Sequence, residues 1–255
     1  MLIVLSPAKK LDYETPPTTG RHTRPEFLEH SRLLIETLRR YSVLDLAELM
    51  KLSINLAELN FERYRTWSPE FTEHNARPCL FAFKGDVYTG LDAGSLDQEA
   101  LAFAQSHLRI LSGLYGLLRP LDLMLPYRLE MGTRLPNARG KNLYAFWGEI
   151  ISDAVNRQLE AQGDDLLINL ASNEYFKSIK PRQVRGRIIT PQFKERKGDD
   201  YRIIGIHAKR ARGLLSRHII ENRLRDPEAL KEFSREGYRF NEALSQVDQW
   251  VFTRG

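Results

Sequence analysis

Five apolar residues in a row, Met1-Leu-Ile-Val-Leu5, give way abruptly to Ser6-Pro-Ala-Lys-Lys10. A run this short and unbroken reads as a strand buried inside the fold. It has no basic n-region, so a signal peptide is not expected. Leu166-Leu-Ile-Asn-Leu170 reads as a second, central strand. Arg187-Ile-Ile-Thr190 and Tyr201-Arg-Ile-Ile-Gly-Ile206 read as a strand pair around a Lys197-Gly-Asp199 turn. Cys79-Leu-Phe-Ala-Phe83 reads as a short buried strand, and Trp250-Val-Phe252 as a final one.

Helical periodicity fills the space between these runs. Phe27, Leu34, Leu38 and Tyr41 share a face, as do Leu46, Leu49 and Met50. Ser95 and Gln98 fit a capping box opening a helix that extends to about Leu111. Leu143, Phe146, Trp147, Ile150, Ile151, Ala154 and Val155 form the clearest amphipathic stripe. A helix is expected from about Ala208 to Arg225, and a last one after Asp226-Pro227, closed by Gly237. The expectation is a single mixed α/β domain over 1–255, helix-rich, with a small mixed sheet. No strict βαβ alternation is evident, so it is not read as a Rossmann fold.

The longest apolar runs fall far short of a membrane span. With a single cysteine, Cys79, neither an intrachain disulfide nor a cysteine-cluster metal site can form. The histidines show no metal-binding spacing, and nothing calls for a metal or other cofactor. These features together point to the cytoplasm. The net charge of +5 is unevenly spread: residues 180–225 hold 14 Lys/Arg and 4 Asp/Glu, while the remainder is mildly acidic. Such a basic segment is the footprint expected for a polyanion. It is also what an Arg-rich solvated surface looks like.

Three segments could carry binding or chemistry. Leu111-Ser-Gly-Leu-Tyr-Gly-Leu-Leu-Arg119 has the pattern of a helix-hairpin-helix. In that motif Ser112, Gly113, Leu114, Tyr115 and Gly116 would bring backbone N–H groups to a phosphate, with Arg119 following. The same residues also fit a Gly-rich helix corner in the core. On a helix, Lys209, Arg210, Arg212 and Arg217 share an arc opposite Ala208, Ala211, Leu214, Leu215 and Ile219. Gly213 and Ser216 lie among the basic residues and would let a ligand backbone come close, although an ordinary amphipathic helix has the same pattern. The third segment ends the central strand in Asn169, Ser172, Asn173, Glu174, Tyr175 and Lys177, where α/β proteins often place ligand groups. Glu174 suits a general acid or base and equally suits a helix cap. Asp86, in Lys84-Gly-Asp86, is the other acid–base candidate. An enzyme acting on a nucleotide, nucleobase or damaged DNA is therefore the alternative to a binding protein.

Taken together, SPAKKLDY (6–13), AFKGDVYTGL (82–91), LSGLYGLLRPLDLMLPYRLEMG (111–132), LYAFWGEII (143–151), INLASNEYFKSIKP (168–181) and HAKRARGLLSRHIIENRL (207–224) resemble the YaaA family of peroxide stress proteins. The resemblance implies a cytoplasmic protein that protects DNA and limits reactive iron during peroxide stress. It further implies an α/β fold with a helix-hairpin-helix and a basic cleft for double-stranded DNA. By position the cleft would use Lys9, Lys10, Arg128, Lys177, Lys180 and residues 209–217. No iron-ligand set is visible, so an effect on iron would be indirect. A monomer is expected.

Overall fold

The computed structural model describes residues 1–72 and 74–255. An eight-stranded, mostly parallel sheet organises a mixed α/β fold. Its strands are β1 (Leu2–Leu5), β2 (Leu108–Ser112), β3 (Gly116–Leu118), β4 (Leu166–Leu170), β5 (Arg187–Lys197), β6 (Asp200–Arg202), β7 (Arg239–Phe240) and β8 (Gln249–Arg254). The order is β7-β8-β5-β4-β1-β2-β3, with β6 pairing β5. The five strands β2, β1, β4, β5 and β8 run parallel, and β3, β6 and β7 are antiparallel additions.

Every residue of β1 and β4 is buried, so both faces of the sheet's centre are covered. This is why their sequences are continuous apolar runs and not alternating ones. The sheet is larger than expected, and its order differs from the Rossmann order. From β1 the chain moves to β2 on one side, and from β4 to β5 on the other. The direction of winding therefore reverses between β1 and β4, which is a topological switch point.

The helices are α1 (Leu28–Leu38), α2 (Val43–Met50), α3 (Ile54–Thr66), α4 (Cys79–Ala82), α5 (Asp86–Leu91), α6 (Gln98–His107), α7 (Leu143–Trp147), α8 (Ile150–Gln162), α9 (Asn173–Phe176) and α10 (Gly205–Asn222). Several local expectations are corrected. Cys79–Ala82 is a helical turn and not a strand. Asp97, not Ser95, caps α6 by accepting from the Ala100 N–H. The predicted stripe from Leu143 to Val155 is two helices, broken where Gly148 takes φ +52°. The segment after Asp226 is a 3-10 helix, Pro227–Glu232.

The largest correction concerns the predicted helix-hairpin-helix. α6 stops at His107, and Leu108–Ser112 continues as β2, paired in parallel with β1 (Ile3 opposite Leu108). Gly116–Leu118 returns antiparallel as β3, with Ser112 opposite Gly116. The motif is thus a β-hairpin inside the core. Ser112, Leu114 and Tyr115 have no exposed surface. A Cβ on Gly113 would lie 2.1 Å from the Leu129 carbonyl oxygen, and one on Gly116 would lie 2.6 Å from the Trp147 ring. Both glycines serve close internal packing, and Gly116 also adopts φ +71°. No phosphate reaches them.

Candidate nucleic-acid interface

At the switch point, the residues that follow β1 and β4 meet. Ser172 N–H donates to Ser6 Oγ at 2.8 Å, and the two hydroxyls lie 3.2 Å apart. This clasp fixes two loops side by side. One carries Lys9 and the other carries Glu174 into a single open crevice of about 630 Å³. Glu130, Gly132, Thr133 and Arg134 form its third wall, and Leu49, Met50 and Lys51 at the end of α2 form the fourth.

Charge in the crevice is mixed. Glu130 Oε1 accepts from Arg128 Nε at 3.2 Å and Nη2 at 3.1 Å, and lies 3.2 Å from Lys9 Nζ. Arg128 is thereby held to Glu130 with its side chain one-fifth exposed, while the Lys9 side chain stays two-thirds exposed. Glu174 Oε1 accepts the Gly132 N–H at 2.9 Å. The sequence also allowed Glu174 to be a helix cap, but its carboxylate instead faces the crevice, across from its own helix. Lys51 and Arg134 are exposed and have no ion-pair partner among the described residues. Asp86 opens α5 in the field of Arg210 and is not among the residues lining this crevice.

The short helix α9 separates the crevice from a second groove, also of about 630 Å³, lined by Asn173, Phe176, Lys177, Lys180, Arg182 and neighbours. Lys177 Nζ sits 5.1 Å over the Tyr144 ring, whose hydroxyl donates to the Glu174 carbonyl at 2.9 Å. Lys180 lies 3.6 Å from Glu149, and Arg182 has no ion-pair partner among the described residues. Lys10, paired through its backbone with Lys84, projects an exposed ammonium from the loop after β1.

The basic arc of α10 is organised differently from the expectation. Arg217 Nη1 donates to the Leu91 and Asp92 carbonyls at 2.9 and 2.7 Å, closing the end of α5. Its Nε bonds Glu221 at 2.7 Å, leaving the side chain only 13% exposed. Arg210 pairs with Glu236 at 2.6 Å. Arg119 is likewise taken up, by Asp122 and the Arg24 carbonyl. Lys209 is exposed, and Arg212 is half-buried without an ion pair among the described residues, so burial lowers its pKa. Gly213 does permit a close backbone approach, but by the protein's own α5. A Cβ there would lie 1.8 Å from the Val87 carbonyl oxygen, and one on Gly90 would lie 2.2 Å from that of Arg210. Ser216 is buried and donates to the Arg212 carbonyl.

Sequence reasoning located Lys9, Glu174 and Lys177 as strand-end polar groups. It did not select Lys51, Thr133 or Arg182, because no motif or spacing marks them.

Residues 1–244 match the family described as peroxide stress protein YaaA. The chain belongs to that family. Its relatives include UPF0246 proteins of two Aliivibrio fischeri strains, ES114 and MJ11. Each is 56% identical over 254 residues, covering 100% of this chain and 98% of the relative. Membership places this YaaA-family chain in the peroxide stress response. Among the described residues, no helix is long and apolar enough to cross a membrane. Nor is any group of three or more His, Cys, Asp and Glu arranged to hold a metal ion. The lone thiol, Cys79, is fully buried with its Sγ 3.0 Å from the Arg119 carbonyl, and burial pushes its pKa well up. It is therefore poorly suited to direct peroxide sensing.

Proposed function

We propose that this protein acts in the peroxide stress response by binding nucleic acid, duplex DNA in the first instance, through its phosphates. The observation that carries the reading is the row of exposed cations around the carboxyl end of the sheet: Lys9 and Lys10 after β1, then Lys177, Lys180 and Arg182 along α9 and its groove. Lys9 lines the switch-point crevice, where open α/β sheets characteristically take ligands, and Lys177, Lys180 and Arg182 line the groove on the other side of α9. Lysines and arginines on an open groove suit backbone phosphates and offer little to read base edges, so selectivity for sequence is weak. Without the hairpin as a second phosphate site, this side-chain surface carries the contact. Lys209 and Arg212 on α10 are secondary candidates. Arg210, Arg217 and Arg119 are held in internal pairs.

The experiment is duplex binding across a salt series. Counterion release makes log K fall linearly with log salt, with a slope near −0.9 per phosphate neutralised. Replacing Lys177, Lys180 and Arg182 together with Ala removes about three such contacts and flattens the slope by about 3. An unchanged slope in the triple variant moves the contact surface elsewhere.

A further inference from the structure

The crevice between the β1 and β4 loops differs in kind from the cation row beside it. A surface that only holds phosphates has no use for carboxylates, yet Glu130 and Glu174 both line this cavity. Each is engaged through one oxygen. Arg128 and Lys9 both approach Glu130 at Oε1, and Glu174 receives the Gly132 N–H at Oε1. The second oxygen of each is an acceptor available to a ligand. The same cavity is lined by Lys51 and Arg134, exposed cations that have no ion pair among the described residues. Leu49 and Met50 add an apolar wall. A ligand that satisfies this set carries a negative group, hydroxyl or amine donors, and a flat apolar face.

We propose that the crevice binds one nucleoside monophosphate unit. The phosphate lies against Lys51 and Arg134, sugar hydroxyls or an exocyclic amine donate to Glu174 and Glu130, and the base packs on Leu49 and Met50. A cavity of about 630 Å³ has room for such a ligand. A carboxylate placed beside the ribose in an open α/β sheet commonly accepts from sugar hydroxyls. The choice of a nucleotide over another phosphorylated metabolite rests on the nucleic-acid reading above. The unit is either a free mononucleotide or a nucleotide extruded from a strand held on the neighbouring cation row, since both present the same chemistry.

The decisive variant is Glu174→Gln. It keeps an oxygen to accept the Gly132 N–H and removes a negative charge. Electrostatics alone therefore predicts equal or tighter binding of any anion, whereas loss of an acceptor for a ligand donor predicts the reverse. Full-length protein is titrated calorimetrically with the nucleoside 5′-monophosphates, the corresponding nucleosides and inorganic phosphate. In parallel it is titrated with a duplex and with the same duplex carrying an abasic site opposite one nucleotide. The inference predicts one-to-one saturation by at least one monophosphate, at least tenfold weaker binding of its nucleoside and of phosphate, and at least tenfold loss in Glu174→Gln and in Arg134→Ala. Affinity of Glu174→Gln for intact duplex stays within twofold. If only the abasic duplex gains affinity and loses that gain in Glu174→Gln, the nucleotide is strand-borne. If free monophosphates saturate, the site serves the free ligand. Saturation by no monophosphate up to about 10 mM, the regime of nonspecific affinity, together with no gain for the abasic duplex, overturns the inference. So does wild-type binding in Glu174→Gln. Duplex binding retained in those cases leaves the cation-row reading intact. Saturation by a monophosphate without duplex binding removes that reading and leaves the crevice as a site for free nucleotide.

Discussion

Replacing Gly213 with Ala separates two accounts of the basic helix. A glycine in the middle of an exposed helix face costs about 1 kcal/mol relative to Ala, so at a surface notch the substitution stabilises the protein. Here the new Cβ would sit 1.8 Å from the Val87 carbonyl oxygen and 2.8 Å from Leu91 N. Both are backbone atoms of α5, and neither can turn aside as a flexible side chain does. Gly90 closes the crossing from the other side, against the Arg210 carbonyl. The two helices must therefore separate. Overpacking of this kind costs about 1–3 kcal/mol, and a backbone clash lies at or above the upper end. After subtracting the helix-propensity gain, the net loss is about 2 kcal/mol. For a chain of this size that corresponds to a fall in Tm of about 4–8 °C. The assay is urea and thermal unfolding of Gly213→Ala beside Gly205→Ala, whose Cβ meets nothing within 4 Å. Gly205→Ala is neutral or slightly stabilising. A Gly213→Ala variant as stable as wild type, or more stable, refutes the reciprocal-glycine crossing.

Arg217→Met leaves the Leu91 and Asp92 carbonyls without their charged donor, and destabilises by about 2–3 kcal/mol in chemical denaturation. Duplex affinity of the folded variant is unchanged; a loss at equal stability would return Arg217 to the binding surface. Cys79 in the native protein stays unreactive toward a disulfide exchange reagent and toward millimolar peroxide over the time in which an unfolded control is consumed, because the thiolate is disfavoured by burial. Rapid native labelling contradicts this. Burial lowers the pKa of His107 and His218 below the ordinary histidine value of 6.5. The folded state then binds fewer protons than the unfolded one near that pH. The stability these groups contribute is complete above about pH 6.5 and declines as pH falls through their folded pKa values. The urea midpoint accordingly falls between pH 7.5 and 5.5, and the fall is smaller in His107→Gln/His218→Gln; an equal fall in that variant assigns it to other groups.

The parts of the fold that were legible in the sequence are those whose signal is local. Leu2–Leu5 and Leu166–Leu170 are too short and too apolar to be anything but covered strands, and Gly198 marks the turn between β5 and β6. The misread segment, Leu108–Leu118, shows where locality ends. Its alternation of leucines and glycines fits a helical corner and a strand hairpin equally well. What decides between them is pairing of Leu108–Ile110 with Ile3–Leu5, about a hundred residues away. The same holds for Gly213. A mid-helix glycine signalled a close approach, but its partner lies on α5 more than a hundred residues earlier in the chain. The crevice was half legible. Lys9 and Glu174 follow buried strands and were selected for that reason. Lys51 follows α2 with no motif to mark it, and only the fold brings it to the same cavity. Charge counting found the basic segment, yet it could not see that Arg210 and Arg217 are spent on Glu236, Glu221 and the end of α5.

The most direct measurement of the central claim is the salt dependence of duplex binding by the wild-type protein and by Lys177→Ala/Lys180→Ala/Arg182→Ala, with both shown to be folded. The account predicts a steep linear fall of log K with log salt for the wild type, and a slope shallower by about 3 for the variant. A wild-type slope near zero, or identical slopes for the two proteins, would contradict it.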